Sequence, residues 1–149
     1  MRIRPYTGSD WEAVREIYDL SKPDEMRGAI DLDTILPLNQ DPAMLALFHD
    51  SIILVAHEAE QIVGFGGHKG NYISWLFVHP AHRRQGVARA LLKEIIERLN
   101  GLITLNVAAE NLAARQLYSG LGFTVARDFA GQFNGQGLRV LTLSYERAG

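Results

Sequence analysis

The segment 72–99 constrains the fold more than any other. Tyr72-Ile73-Ser74-Trp75-Leu76-Phe77-Val78 is an apolar, β-rich run that stops at Pro80, and an amphipathic helix follows it. In that helix Ala88, Leu91, Leu92, Ile95, Ile96 and Leu99 recur at helical spacing, with Arg89, Lys93, Glu94, Glu97 and Arg98 off the apolar stripe. Asn100-Gly101 ends the helix, and Leu102–Val107 reads as another strand. A strand, a helix and a strand in that order form a crossover unit, which commits the chain to a layered sheet with helices on it.

The flanks fill in around this unit. Ile3–Tyr6 reads as a short strand, and a helix opens at Ser9, whose three-residue spacing to Glu12 is that of a capping box. Trp11, Val14, Ile17 and Tyr18 give that helix one apolar face, and the pattern fades at about Leu20. Residues 21–41, with Pro23 and Pro37, read as broken helix or loop before Asp41-Pro42 opens a helix through about His49. Ile52–Ala56 and Ile62–Gly67 read as a hairpin across the Glu58–Gln61 turn. Asn111 caps a helix with Ala114, Leu117, Tyr118 and Leu121 on one face, stopped by Gly120 and Gly122. Phe123–Val125 and Leu138–Leu143 complete the sheet, with the glycine-bearing stretch Gly131–Gly137 as the turn between them. The expected class is mixed α/β. The 149 residues fit one domain, 1–149, of a size that buries its own core.

Composition excludes several chemistries. The chain has no cysteine, so disulfides, thiolate nucleophiles, iron–sulfur clusters and cysteine-ligated zinc are ruled out. His79 and His82 form too sparse a pair for a metal, and none is expected. No apolar run is long enough to cross a bilayer and no secretory leader is evident, so the expectation is a soluble, cytoplasmic protein with no membrane partner. The formal net charge is -2, which provides no field for nucleic acid, and no aromatic platform interleaves Arg83, Arg84, Arg89 and Lys93. The charge is unevenly divided: residues 1–60 hold 12 acids against 5 Lys and Arg, and residues 61–149 hold 5 acids against 10.

The chemistry concentrates between strand and helix, in Val78-His79-Pro80-Ala81-His82-Arg83-Arg84-Gln85-Gly86-Val87-Ala88. The unpaired amides at a helix start carry roughly half a positive charge and make an anion site. Arg83 and Arg84 add full charges there, and Gly86 lets the backbone approach a ligand without a Cβ in the way. A pyrophosphate suits such a site, although the residues are neither a P-loop nor a dinucleotide fingerprint.

These residues resemble the acetyl-CoA motif of the GNAT superfamily of N-acetyltransferases, Q/R-x-x-G-x-G/A, which Arg83 through Ala88 match. A second block, Leu105, Val107, Asn111, Ala114, Leu117, Tyr118, Gly122 and Phe123, matches the family's L-x-V-x-x-x-N-x-x-A-x-x-L-Y-x-x-x-G-F at every fixed position. The specific motifs lie in residues 72–123, and residues 1–60 agree by element type alone. The resemblance implies a mostly antiparallel sheet splayed between the strand ending at Val78 and the strand 102–107, with the pantetheine arm of acetyl-CoA in the gap. It implies that Leu76, Phe77 and Val78 bind that arm, that Arg83, Arg84, Gln85, Gly86, Val87 and Ala88 hold the pyrophosphate, and that Asn111 touches the cofactor. It places the Tyr118 hydroxyl near the thioester sulfur, as the acid for the departing thiolate. Homodimers are common in the family and are the corresponding expectation for assembly.

Chemistry gives those roles a reason. Amine acetylation by direct attack needs a neutral amine, a stabilised oxyanion and a proton donor, and no cysteine intermediate. Tyrosine, with a pKa near 10, stays protonated at neutral pH and can donate. The base is open among His68, His79 and Glu25. Asp24, Glu25, Asp31, Asp33 and Asp41 lie in the stretch that lines the acceptor side in the family, which leads to the expectation of a cationic amine, small or peptidic. The alternative is a non-catalytic acyl-CoA sensor, against which Tyr118 argues, since a sensor has no use for an acid beside the sulfur.

Overall fold

Strand pairing turns the 72–99 segment into the centre of a sheet. The computed structural model describes residues 1–148. These form seven strands: β1 (Arg2–Pro5), β2 (Ile52–Glu58), β3 (Gln61–Lys69), β4 (Tyr72–Val78), β5 (Gly101–Ala108), β6 (Thr124–Phe133) and β7 (Gln136–Arg147). The same residues form four α-helices: α1 (Trp11–Met26), α2 (Pro42–Asp50), α3 (Val87–Glu97) and α4 (Leu112–Gly120). The strands lie in the order β1-β2-β3-β4-β5-β7-β6.

Every neighbouring pair is antiparallel except β4 and β5. That parallel pair is registered only at Tyr72↔Thr104 and Ile73↔Leu105. On their outer sides the two strands stay paired much further, β4 to Gly64↔Val78 and β5 to Ala108↔Val140. Beyond Ile73 they part, so the facing edges carry peptide groups without a neighbouring strand.

The apolar residues divide between the two faces of the sheet. On β2, Ile53 and Val55 face Val14, Ile17, Tyr18 and Phe48 from α1 and α2, joined there by Phe65, Trp75 and Phe77. Leu54 and Ala56 face Val87, Leu91, Leu92 and Ile95 of α3. The unbroken apolar run on β2 is what a strand covered on both sides requires. Helix α3 lies close to β3 because Gly64 and Gly66 carry no side chains. A Cβ at Gly64 would stand 2.9 Å from Val87 Cγ1, and one at Gly66 would stand 3.1 Å from Ile95 Cδ1.

Three sequence expectations are corrected. The capping interaction sits two residues earlier than the Ser9–Glu12 spacing predicts: the Thr7 amide donates to Asp10 Oδ2 at 2.8 Å, over a 3-10 turn at Gly8–Asp10 that leads into α1. Helix α1 continues past Leu20 to Met26 with Pro23 inside it. Proline removes only the bond to the Asp19 carbonyl, and the added turn buries Lys22 and Met26 and lets Ser21 Oγ donate to the Val78 carbonyl at 2.8 Å. The final hairpin is longer than predicted: β6 reaches Phe133, and only Asn134 and Gly135 turn, at φ 51° and 76°. That is the left-handed pair a two-residue hairpin needs. Its tip reaches the segment after α1, where Asn134 Nδ2 donates to the Thr34 carbonyl at 3.0 Å and the Asp31 amide donates to Gln136 Oε1 at 2.9 Å.

Candidate functional site

The gap between β4 and β5 opens into a cleft of about 700 Å³. Its floor is the diverging strands, and the starts of α3 and α4 and the last turn of α1 form its walls. Leu76, Phe77 and Val78 line it from β4, with Ser74 and Trp75 beside them.

At the α3 wall, Gly86 takes φ +81° immediately before the helix, and Arg84 takes φ +63°. A Cβ at Gly86 would meet nothing within 4 Å, so the glycine answers to its backbone angle and not to crowding. Arg84 has no such exemption, and its left-handed angle costs on the order of 1–2 kcal/mol, held by the surrounding turn. The first intrahelical bond, Ala90 N to Gly86 O at 3.0 Å, leaves the amides of Val87, Ala88 and Arg89 without helical partners, and all three residues line the cleft. With Arg83 and Arg84 on the same wall, this corner collects positive charge and backbone donors at the mouth of the gap.

Gln85 departs from the set. Its Oε1 faces His82 Nδ1 at 3.4 Å and it does not line the cleft, whereas His82 does. Asn111 lines the cleft while its Oδ1 caps α4, accepting from the Ala114 amide at 3.3 Å.

Tyr118, on the inner face of α4, is 8% exposed and packs edge-on against Phe123 at 5.8 Å between ring centres. Burial raises its pKa well above the ordinary tyrosine value, and the negative charge of Glu25 and the neighbouring Tyr72 push it further in the same direction. The hydroxyl therefore stays protonated at neutral pH.

Of the three candidate bases, only Glu25 lines the cleft. His68 is buried in β3, its Nδ1 bonded to the Gly70 carbonyl at 2.9 Å. His79 caps a 3-10 turn, its Nδ1 accepting from the Ala81 amide at 3.0 Å, and borders a separate hollow with Arg4, Asp10 and His57. The described residues contain no group of three or more His, Cys, Asp or Glu placed to hold a metal. Among them, no helix is long and apolar enough to cross a membrane.

The acidic stretch behaves differently from its count. Only Asp24 and Glu25 line the cleft. Asp24 accepts from Arg27 at 2.8 Å and from Arg83, and these two guanidiniums hold its carboxyl below the usual range. Glu25 is paired with Lys22 at 3.2 Å. Asp31 caps its own turn, accepting from the Asp33 amide at 3.0 Å, and Asp41 caps α2, accepting from Met44 at 3.1 Å. Within the cleft, each acid therefore stands beside a cation of the chain itself, Asp24 beside Arg27 and Arg83 and Glu25 beside Lys22.

Sequence reasoning missed Lys22. It lines the cleft at 6% exposure, with its ammonium over the rings of Phe133 at 4.8 Å, Phe77 at 5.7 Å and Tyr18 at 5.9 Å. The signal for it is the spacing: Lys22 stands four residues after Tyr18 and continues the buried stripe, beyond the point near Leu20 where the apolar pattern fades.

The profile of the acetyltransferase (GNAT) domain family matches residues 49–125. An acetyltransferase of Sodalis glossinidius is 31% identical over 135 residues, covering 83% of this chain and 87% of its own length. Among solved structures, a GCN5-related N-acetyltransferase from Rhodopseudomonas palustris superposes with a TM-score of 0.84 at 19% identity, over 97% of this chain and 94% of its own. YncA of Salmonella typhimurium, a putative acetyltransferase solved with acetyl-CoA, superposes at 0.74 with 23% identity, over 100% of this chain and 95% of its own.

Proposed function

The chain belongs to the GNAT acetyltransferases, and from that membership we propose that it is an acetyl-CoA-dependent N-acetyltransferase, one domain over residues 1–149, acting on a primary amine in a ternary complex. The observation that carries this reading is the parting of β4 from β5 after Ile73 at the point where the α3 amides and two arginines converge. A linear ligand with a peptide-like arm and a pyrophosphate fits a split sheet edge that ends at a helix start. The absence of cysteine suits a reducing cytoplasm.

Bound acetyl-CoA would supply the thioester carbonyl and a thiolate leaving group. The amides of Val87 and Ala88, with Arg83 and Arg84, hold the pyrophosphate, and Gly86 sets the angle that turns those amides into the cleft. Peptide groups of Leu76, Phe77 and Val78 bond the pantetheine arm, and Asn111 steadies it from α4. Gln85 acts indirectly, by bracing the His82 turn. Tyr118 donates its proton to the departing sulfur as the C–S bond breaks, and Glu25 takes the proton that the attacking amine releases. The cycle closes when the proton taken by Glu25 returns through solvent to Tyr118, so that acetyl has replaced hydrogen on nitrogen, CoA leaves as the thiol and both side chains are restored.

The test is CoA release, read with a thiol-reactive dye over a panel of amines. The chain has no cysteine and gives no background. Release that depends on both acetyl-CoA and an amine supports the reading. Acetyl-CoA binding without release for any amine would replace it with a sensor.

A further inference from the structure

We propose that Lys22 and Glu25 together select an acceptor that carries a carboxylate beside its amine, a free amino acid or a similar small amino-carboxylate; this rests on the transferase reading above. The two residues stand one turn apart on α1, with Lys22 Nζ and Glu25 Oε1 at 3.2 Å, and both line the cleft. The pair presents a fixed positive and a fixed negative group side by side. Its complement is a molecule with an anionic and a cationic group equally close, which describes a zwitterion.

The donor count on this wall favours an anionic group. An ammonium has three N–H donors, and Lys22 spends one on Glu25, with the rings of Phe133, Phe77 and Tyr18 at 4.8, 5.7 and 5.9 Å from its nitrogen and no further hydrogen-bond acceptor among the described residues. In the same aromatic cluster the Tyr18 hydroxyl and the Trp75 indole N–H are buried with no hydrogen-bond partner among the described residues. Trp75 lines the cleft, and its ring centre stands 5.8 Å from that of Tyr18. Of these two groups only Trp75 lines the cleft, and a carboxylate, with about four lone-pair sites, suits the remaining donors of Lys22 and this indole N–H. Glu25 keeps its second oxygen for the acceptor's amine. A polyamine, by contrast, would bring a second cation toward a buried ammonium, and an internal peptide amine would bring no carboxylate to it.

The β6–β7 hairpin supplies one of these rings. Phe133 comes from that hairpin, which is tied across to Thr34 and Asp31 by Asn134 and Gln136. The hairpin therefore brings one aromatic ring to the Lys22 ammonium and fixes it through this tie.

The experiment measures kcat/KM by CoA release for matched sets: small amino acids, their methyl esters and the corresponding decarboxylated amines, with lysine and N-terminal peptides alongside. The wild type should prefer the free carboxylate by about 30-fold or more, and Lys22→Met should reduce that preference to within about 3-fold while calorimetry finds acetyl-CoA affinity unchanged. Esters or amines accepted as well as the acids by the wild type would overturn the proposal without recourse to any variant. Peptides or polyamines acetylated in preference to amino acids would also overturn it and leave the transferase reading intact. No release with any member of the panel would remove the transferase reading and this inference with it.

Discussion

Arg83, on the loop that opens α3, is ion-paired to Asp24 in the last turn of α1, so one contact joins the two walls of the cleft. In the proposed complex Asp24 therefore competes with the pyrophosphate for this cation. Because the pair is partly exposed, its worth lies at or below about 1 kcal/mol. Asp24→Asn should tighten acetyl-CoA binding by about 2- to 5-fold at low ionic strength, and the gain should fade in high salt. Calorimetry at two salt concentrations reads both effects, and weaker binding in the variant would refute the competition.

Tyr118→Phe separates chemistry from binding. Loss of the proton donor should lower kcat by at least about 10-fold with acetyl-CoA affinity nearly unchanged. The raised pKa sets a sign as well. The active form is the neutral hydroxyl, lost only as pH rises through a value above that of free tyrosine, so kcat in the wild type should show no alkaline loss due to this group below about pH 10. An alkaline limb near pH 8 that vanishes in the Phe variant would contradict the assignment.

Asp10 anchors the start of α1. Arg4 donates to both its oxygens at 2.8 Å, and together with the Thr7 amide this outweighs burial and holds the carboxyl at about 2. A depressed pKa stabilises the fold above the unfolded value near 4, and that stabilisation is lost as pH falls from there toward 2. Asp10→Asn should cost about 2 kcal/mol at pH 7 and progressively less at pH 3 and 2. Urea unfolding at these pH values checks it, and a pH-independent cost would count against the ion pair as the cause.

Gly64 and Gly86 should fail for different reasons. At Gly64 a Cβ would meet Val87 Cγ1 at 2.9 Å and the Phe77 carbonyl at 3.0 Å, so Gly64→Ala pushes α3 off the sheet at a cost of about 1–3 kcal/mol. At Gly86 the space is open and only the angle of +81° resists, so Gly86→Ala should cost about 1 kcal/mol of stability and fall mainly on acetyl-CoA affinity. Thermal unfolding and calorimetry on the two variants distinguish the patterns, and equal losses on both measures would undo the distinction.

The parts of the fold written in side-chain periodicity were legible: the stripe from Ala88 to Leu99, the strand 72–78, and the Asn111 cap with Tyr118 on the inner face of its helix. The motif at 83–88 located the cleft, with Gln85 its exception. The family resemblance implies the splay between these strands, but register is a backbone property, and the side-chain pattern of β4 and β5 does not mark Ile73 as the residue after which they part. Pro23 misled because burial of Lys22 and Met26 outweighs one missing hydrogen bond, a balance that only tertiary structure reveals. Gly131 misled in the opposite way: it lies inside β6, where a Cβ would come 2.9 Å from Val140 Cγ2, and not in the turn. At Asp24 and Glu25 a sum of acids does not show which cations stand beside them.

The seam between β4 and β5 holds at two residue pairs, so the sheet is two leaves, β1 to β4 and β5 to β6, sharing a short spine. A ligand lying in the gap binds both leaves at once and binds the unfolded chain not at all, so it adds its binding energy to the cohesion of the whole sheet. Occupancy of the gap should then be readable as resistance of the folded chain to proteolysis.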